Sequence, residues 1–233
     1  MNKKEFQKYV TQDFHNINKS FFTQIEIYKE FLQKYNQNIN LTRLDSNDKI
    51  YADYFYESII PYKQINFDNI VSFLDIGSGS GIPGVVLKLL YPHLQLTIIE
   101  SNNKKCIFLK ALSKILKIQI KILNQRAEDI KENQREYYDL VTSRAVAMLP
   151  IILEISLPYL KIDGICVEPK SLSAEKESKD INKIISALGC RLESTNQFTS
   201  INEKKHFLFI IKKIYKTNKK YPRNWQQIIK GFW

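Results

Sequence analysis

The sequence predicts an α/β fold built on a mainly parallel sheet, with helices added at its N-terminus. Three observations carry this. An apolar run, Val71 to Ile76, leads into a turn holding four of the chain's seven glycines: Gly77, Gly79, Gly81 and Gly84. From there to Leu188, strand-like apolar runs alternate with segments of helical period, the pattern of parallel strands joined by crossover helices. The series closes on Cys190 to Phe198 and His206 to Tyr215, joined by Asn202-Glu203-Lys204, which reads as a β-hairpin and sets one strand antiparallel.

In chain order, Phe6, Val10, Phe14 and Ile17, then Phe21, Phe22, Ile25, Ile27, Tyr28, Phe31 and Leu32, recur at helical intervals and predict two helices. Asn36 to Thr42 is turn-rich and interrupts the pattern. Ser46-Asn47-Asp48 is good N-cap chemistry for a third helix that runs to about Ile60, before Pro61. Residues 1–65 therefore read as a helical extension, 66–215 as the sheet domain and 216–233 as a basic, aromatic tail. Within the sheet domain, Ile82 to Leu90 reads as the first crossover helix and Leu96 to Glu100 as the second strand. Lys104 to Leu116 is an amphipathic helix, and Ile118 to Leu123 and Tyr138 to Ser143 are strands three and four. Leu149 to Leu160 is a helix, Gly164 to Glu168 the fifth strand, and Ala174 to Leu188 a helix.

A glycine turn between strand and helix lets backbone approach a ligand where side chains would collide, and it aims the free N–H groups of the helix start at that ligand. The spacing is G-x-G-x-G, with Ile82 where a dinucleotide site wants its third glycine, so NAD and FAD fit poorly. Glu100, at the tip of strand two, sits where open α/β sheets bind ribose hydroxyls, and a carboxylate accepts two hydrogen bonds from a cis-diol. A nucleoside without a pyrophosphate points to S-adenosylmethionine, held by Gly77, Gly79 and Glu100. Alternating strands and helices closed by an antiparallel strand are the outline of a class I, Rossmann-like S-adenosylmethionine-dependent methyltransferase. Arg144 reads either as a donor to the methionine carboxylate or to a guanine O6, or as an ion-pair partner of Glu128 or Asp139. Asn40 either lines the pocket or caps its own turn, and Lys170 either meets RNA phosphate or is a solvated strand end.

Asn40-Leu41-Thr42, Asp75 to Gly84 with its Ile-Pro-Gly ending, Arg126-Ala127-Glu128, Ser143-Arg144-Ala145-Val146-Ala147 and Lys220-Tyr221-Pro222-Arg223 occur in that order across nearly the whole chain. In these segments it resembles the bacterial small-subunit (16S) ribosomal RNA guanine-N7 methyltransferases, the glucose-inhibited division protein B family. The resemblance implies S-adenosylmethionine as cofactor, with Gly77, Ile82, Ala127, Glu128 and Arg144 at positions that bind it, and small-subunit ribosomal RNA as partner. The chain departs from the family where His-x-x-Asp-Ser is usual, reading Tyr54-Phe55-Tyr56-Glu57-Ser58. It also has Lys170-Ser171 for the usual Lys-Gly, after an unusual Pro169, and its tail diverges beyond Arg223.

The acceptor chemistry agrees. After strand four there is neither an Asn/Asp-Pro-Pro-Tyr/Phe element for amine methylation nor a cysteine nucleophile for cytosine C5. Guanine N7 needs neither, because its lone pair is available and no proton leaves; orientation supplies the catalysis and no catalytic residue is assigned. The net charge is +11, yet Lys204 to Trp233 holds nine Lys or Arg and no acid, so residues 1–203 carry 26 minus 24, or +2. Such a tail, interleaved with Tyr215, Tyr221, Trp225, Phe232 and Trp233, suits phosphates and stacked bases, with Arg223 among the substrate contacts. A non-enzymatic RNA- or membrane-binding protein with a degenerate nucleoside fold is the alternative; the intact glycine turn with Glu100 and Glu128 argues against it. The N-terminus has no apolar h-region, and no run nears 18 apolar residues, so a cytoplasmic monomer without membrane contact is expected. Cys106, Cys166 and Cys190 form no C-x-x-C, and His15, His93 and His206 are scattered, so neither disulfides nor a metal site is expected.

Overall fold

The computed structural model describes residues 1–36, 46–172 and 181–231. Its seven-stranded sheet runs in the order β3-β2-β1-β4-β5-β7-β6. The strands are β1 (Ser72–Ile76), β2 (Gln95–Ile99), β3 (Lys121–Leu123), β4 (Tyr138–Ser143), β5 (Leu160–Ser171), β6 (Cys190–Thr199) and β7 (Lys205–Lys213). Strands β1 to β5 pair in parallel, and β7 enters antiparallel between β5 and β6. β1 and β4 are buried at every position because helices cover both faces, whereas edge strand β6 alternates between partly covered and exposed residues.

α1 (Lys3–Asp13) starts on a capping box between Asn2 and Glu5, and α2 (Phe21–Asn36) follows. Residues 47–62 form one continuous helical run, α3. It opens as α-helix at Asn47–Lys49, widens to π-helix over Ile50–Tyr56, returns to α over Glu57–Ile59 and tightens to 3-10 at Ile60–Tyr62. The sequence predicts a plain α-helix here. The wider turn directs three successive tyrosines to different partners: Tyr51 to Glu26, Tyr54 to the Ser80 carbonyl and Tyr56 to Asp13. Phe6, Phe21, Tyr28 and Phe55 share one core with Val85, Leu89, Leu96 and Phe108, so α1 to α3 pack directly on the sheet domain.

α4 (Gly84–Leu90), α5 (Asn103–Ile115), α6 (Leu149–Ser156), α7 (Ile181–Ala187) and α8 (Trp225–Ile228) follow, with short 3-10 turns at Glu132–Gln134 and Leu157–Tyr159. β5 runs past its predicted end through Pro169. Its ladder with β4 stops at the Thr142–Val167 pair, so Pro169 lies where β5 has β7 on one side and no strand on the other.

The tail corrects the sequence reading. No apolar period marks it as packed, yet Thr217, Tyr221 and Ile228 are buried, the latter two in a core shared with Leu149, Leu153 and Ile184. Arg223, expected on RNA, turns inward instead. Its Nε and Nη2 donate to Glu154 at 2.8 and 2.7 Å, and Nη2 also donates to the Gly231 carbonyl at 3.0 Å. Glu154 is buried and needs a cation; the guanidinium fork supplies one with two parallel bonds. Buried Lys213 ties the tail's start to the sheet through the Leu157 and Leu188 carbonyls, at 3.0 and 3.2 Å, and through Thr217. Among the described residues, no helix is long and apolar enough to cross a membrane.

Candidate active site

The glycine loop is built around Asp75. Its Oδ2 accepts from Ser78 Oγ at 2.5 Å and from the Gly84 N–H at 2.8 Å, closing the turn onto the first residue of α4. Burial is complete and pushes the carboxyl up to about 8, with those two donors pulling the other way. Glu168, which accepts from Ser143 Oγ at 2.7 Å, is pushed up to about 7 by the same cause. Both folded values lie above the unfolded ones, so both groups favour the fold most when protonated. This contribution is full below about pH 4 and is lost as pH rises towards 8, by on the order of 1 kcal/mol per pH unit for each group. Asp75→Asn is accordingly expected to flatten the decline in melting temperature between pH 6 and 9. An unchanged slope would show that Asp75 is already ionised in the fold.

Gly77, Gly79 and Gly81 all have positive φ, at +67°, +61° and +103°. The Gly79 N–H donates to Glu100 Oε2 at 3.0 Å, and the Asn102 N–H donates to Glu100 Oε1 at 2.8 Å. Glu100 thus fixes the loop at the tip of β2. From the other side, Tyr28 and Tyr54 of the N-terminal helices both donate to the Ser80 carbonyl. The sequence reading placed Tyr28 in an apolar stripe and Tyr54 only at a departure from the family's His-x-x-Asp-Ser, and neither reading pointed to these hydroxyl contacts.

Three adjoining concavities open at the carboxyl ends of β1 to β5, where ligands sit in such sheets. The first, about 280 Å³, is lined by Gly77, Glu100, Ala127 and Glu128, with Ile152 and Trp225 among its apolar walls. The second, about 360 Å³, follows the glycine loop past Gly77, Gly79 and Ile82 to Lys105 and Arg144. The third, about 460 Å³, holds Glu57, Arg144, Lys170, Phe198 and His206. Gly77 borders the first two, Val146 the first and third, and Arg144 the second and third.

The predicted residues fall into this cleft with two exceptions. Arg223 lines none of the three, and Asn40 lies outside the described residues. Arg144 pairs with neither Glu128 nor Asp139, which take Arg126 and Lys161. Instead its Nη2 donates to the Asp53 carbonyl at 3.1 Å and Nη1 to that of Tyr54 at 3.5 Å, on the π-helical part of α3. Lys170 Nζ donates to the Ala147 carbonyl at 2.6 Å. The sequence reading did not assign Trp225 to the wall of the first concavity, where Arg126 stacks on its ring at 4.9 Å, nor Glu57 and His206 to any pocket.

A profile of the family described as rRNA small subunit methyltransferase G (GidB) matches residues 22–208. The chain belongs to this family. Curated relatives carry the same description: one from Ureaplasma parvum serovar 3 (strain ATCC 27815) is 42% identical over 99% of both chains. Another from Bacillus subtilis (strain 168) is 36% identical, covering 96% of this chain and 95% of the relative. Among solved structures, M. jannaschii TYW2 in complex with AdoMet superposes with a TM-score of 0.55 at 16% identity, over 69% of this chain and 78% of that one. The StiE O-MT domain gives 0.55 at 16% identity, over 67% and 72%. These likenesses confirm the class I methyltransferase fold, and the family match confirms a methyltransferase over the non-enzymatic alternative.

Proposed function

We propose that the protein transfers the methyl group of S-adenosylmethionine to N7 of a guanine in small-subunit ribosomal RNA. The observation that carries this reading is the continuity of the three concavities through Gly77, Val146 and Arg144 in a chain of this family. The adenosine end belongs in the first, between Glu100, Ala127 and Glu128. Each Glu100 oxygen accepts one backbone N–H and keeps a lone pair for a ribose hydroxyl. The methionine end lies along Gly77, Gly79 and Ile82, with Arg144 at its far side. The guanine enters the third space, beside Lys170.

The cofactor supplies an electrophilic sulfonium methyl. The chain's own task is to hold N7 in line with it and to exclude water, which is a gain from orientation. N7 donates its lone pair without losing a proton, so no side chain has to act as base. The relatives' description supports ribosomal RNA as the acceptor, and that acceptor implies work in the cytoplasm. Nucleoside mass spectrometry of small-subunit RNA from cells with and without the gene tests the assignment. Loss of one N7-methylguanosine, at a site that breaks under reduction and aniline, is the expected result; loss of an amine- or ribose-methylated nucleoside instead would refute it.

A further inference from the structure

The geometry points to Glu57 as the residue that selects guanine, its carboxylate accepting from N1–H and the exocyclic N2 amine. The inference rests on the guanine-N7 reading above and assigns recognition of the base to a particular residue. With N7 turned to the cofactor, the neighbouring O6 lies at the boundary that Arg144 shares between the second and third concavities. N1–H and N2 then face into the third. Both are donors, so the wall they meet must accept, whereas adenine would present an acceptor at N1 and be rejected.

Glu57 is the carboxylate lining that space; Arg144 and Lys170 bring donors. Its side chain is 17% exposed, and His206 Nε2 stands 3.4 Å from Oε1, too long for a good hydrogen bond. Among the described residues, that His206 nitrogen has no hydrogen-bond partner, and its contact with Glu57 is an ion pair only when the imidazole is protonated. Beyond this contact with His206, the Glu57 carboxylate keeps lone pairs that face the pocket and can accept from the donors of a bound base. The pocket also offers a flat surface for the base. Phe198 and His206 face each other across β6 and β7, with ring centroids 5.1 Å apart and planes 17° from parallel. Pro61 is another apolar group lining the same space. Bases extruded from RNA commonly stack on such rings.

The test compares methylation of small-subunit RNA carrying guanosine or inosine at the modified position; inosine keeps N7, O6 and N1–H but lacks the N2 amine. The wild-type protein is expected to prefer guanosine by about 10- to 100-fold in kcat/KM, as for a charged hydrogen bond read in a groove. In Glu57→Gln the preference should shrink to within about three-fold, mainly by loss on guanosine, while S-adenosylmethionine affinity and melting temperature hold. Glu57→Asp keeps the acceptor and should retain the preference. A Glu57→Gln protein that discriminates as well as wild type, or a wild type indifferent to inosine, overturns the assignment of Glu57 alone. So does a Glu57→Asp protein that folds but has lost the preference. A wild-type protein that forms no N7-methylguanosine on the guanosine RNA overturns the underlying reading with it.

Discussion

Removal of residues 217–233 is expected to lower the melting temperature by more than about 10 °C and to weaken S-adenosylmethionine binding at the same time. Tyr221 and Ile228 are buried, and emptying each site costs about 2–5 kcal/mol. Glu154, 2% exposed at its side chain, would lose Arg223 and become an uncompensated buried charge, which costs about 3–5 kcal/mol. Lys213 would lose Thr217 from its set of acceptors. The cofactor effect arises separately, because Trp225 forms part of the first concavity's wall and stacks with Arg126. Arg223→Ala is the smaller version of the experiment: it should lower stability by the ion-pair amount while leaving Trp225 in the chain. Differential scanning fluorimetry and calorimetry read both effects. A truncated protein that melts within about 2 °C of wild type and binds cofactor normally would mean that the tail is a detachable arm, as its charge alone suggests.

Gly79→Val should abolish cofactor binding with little loss of stability, whereas Gly81→Val should destabilise the fold itself. A Cβ at Gly79 meets nothing nearer than Lys105 Nζ at 3.9 Å and the Gly77 carbonyl at 4.0 Å. The protein tolerates the substitution apart from the left-handed strain at φ +61°, about 1–2 kcal/mol. The added side chain stands in the second concavity, where the methionine end is proposed to lie, so affinity should fall by more than about 100-fold, the scale of losing several kcal/mol of contacts. At Gly81 the Cβ would stand 2.6 Å from the Tyr28 hydroxyl and 2.8 Å from Val85 Cγ2, within the seam that seats α2 against the loop. Overlap there displaces α2, and melting should drop by several degrees even before cofactor is added. If Gly79→Val binds S-adenosylmethionine as wild type does, the glycine loop is not the cofactor cradle.

The family match and the structure bear out the enzyme class and the fold that the sequence implies, and the reasons are local. Glycine at a position of positive φ, alternation along a strand and the 3.6-residue period of a helix are each legible within a few residues. That is why β1, the glycine turn, α4 and β2 could be placed, and with them Gly77, Gly79 and Glu100. Ala127, Glu128 and Arg144 came instead from the family resemblance, and the structure sets their segments beside the glycine loop because strand ends converge on one edge of a parallel sheet.

Packing decided the rest. Local pattern marks Tyr28 as an apolar stripe residue and Tyr54 only as a departure from the family's His-x-x-Asp-Ser, and only the seating of α2 and α3 brings both hydroxyls onto the Ser80 carbonyl. A run of lysines around Tyr221 has the composition of a solvated tail; the apolar contacts beside α6 and the buried charge of Glu154, which takes Arg223, make it a strut. Glu57 and His206 face each other because α3 crosses the cleft beside β7. Sequence determines which backbone conformations and faces each segment prefers, since those energies are set by near neighbours. Which charge finds which partner depends on surfaces distant in the chain, and only the closed tertiary structure brings them within bonding distance.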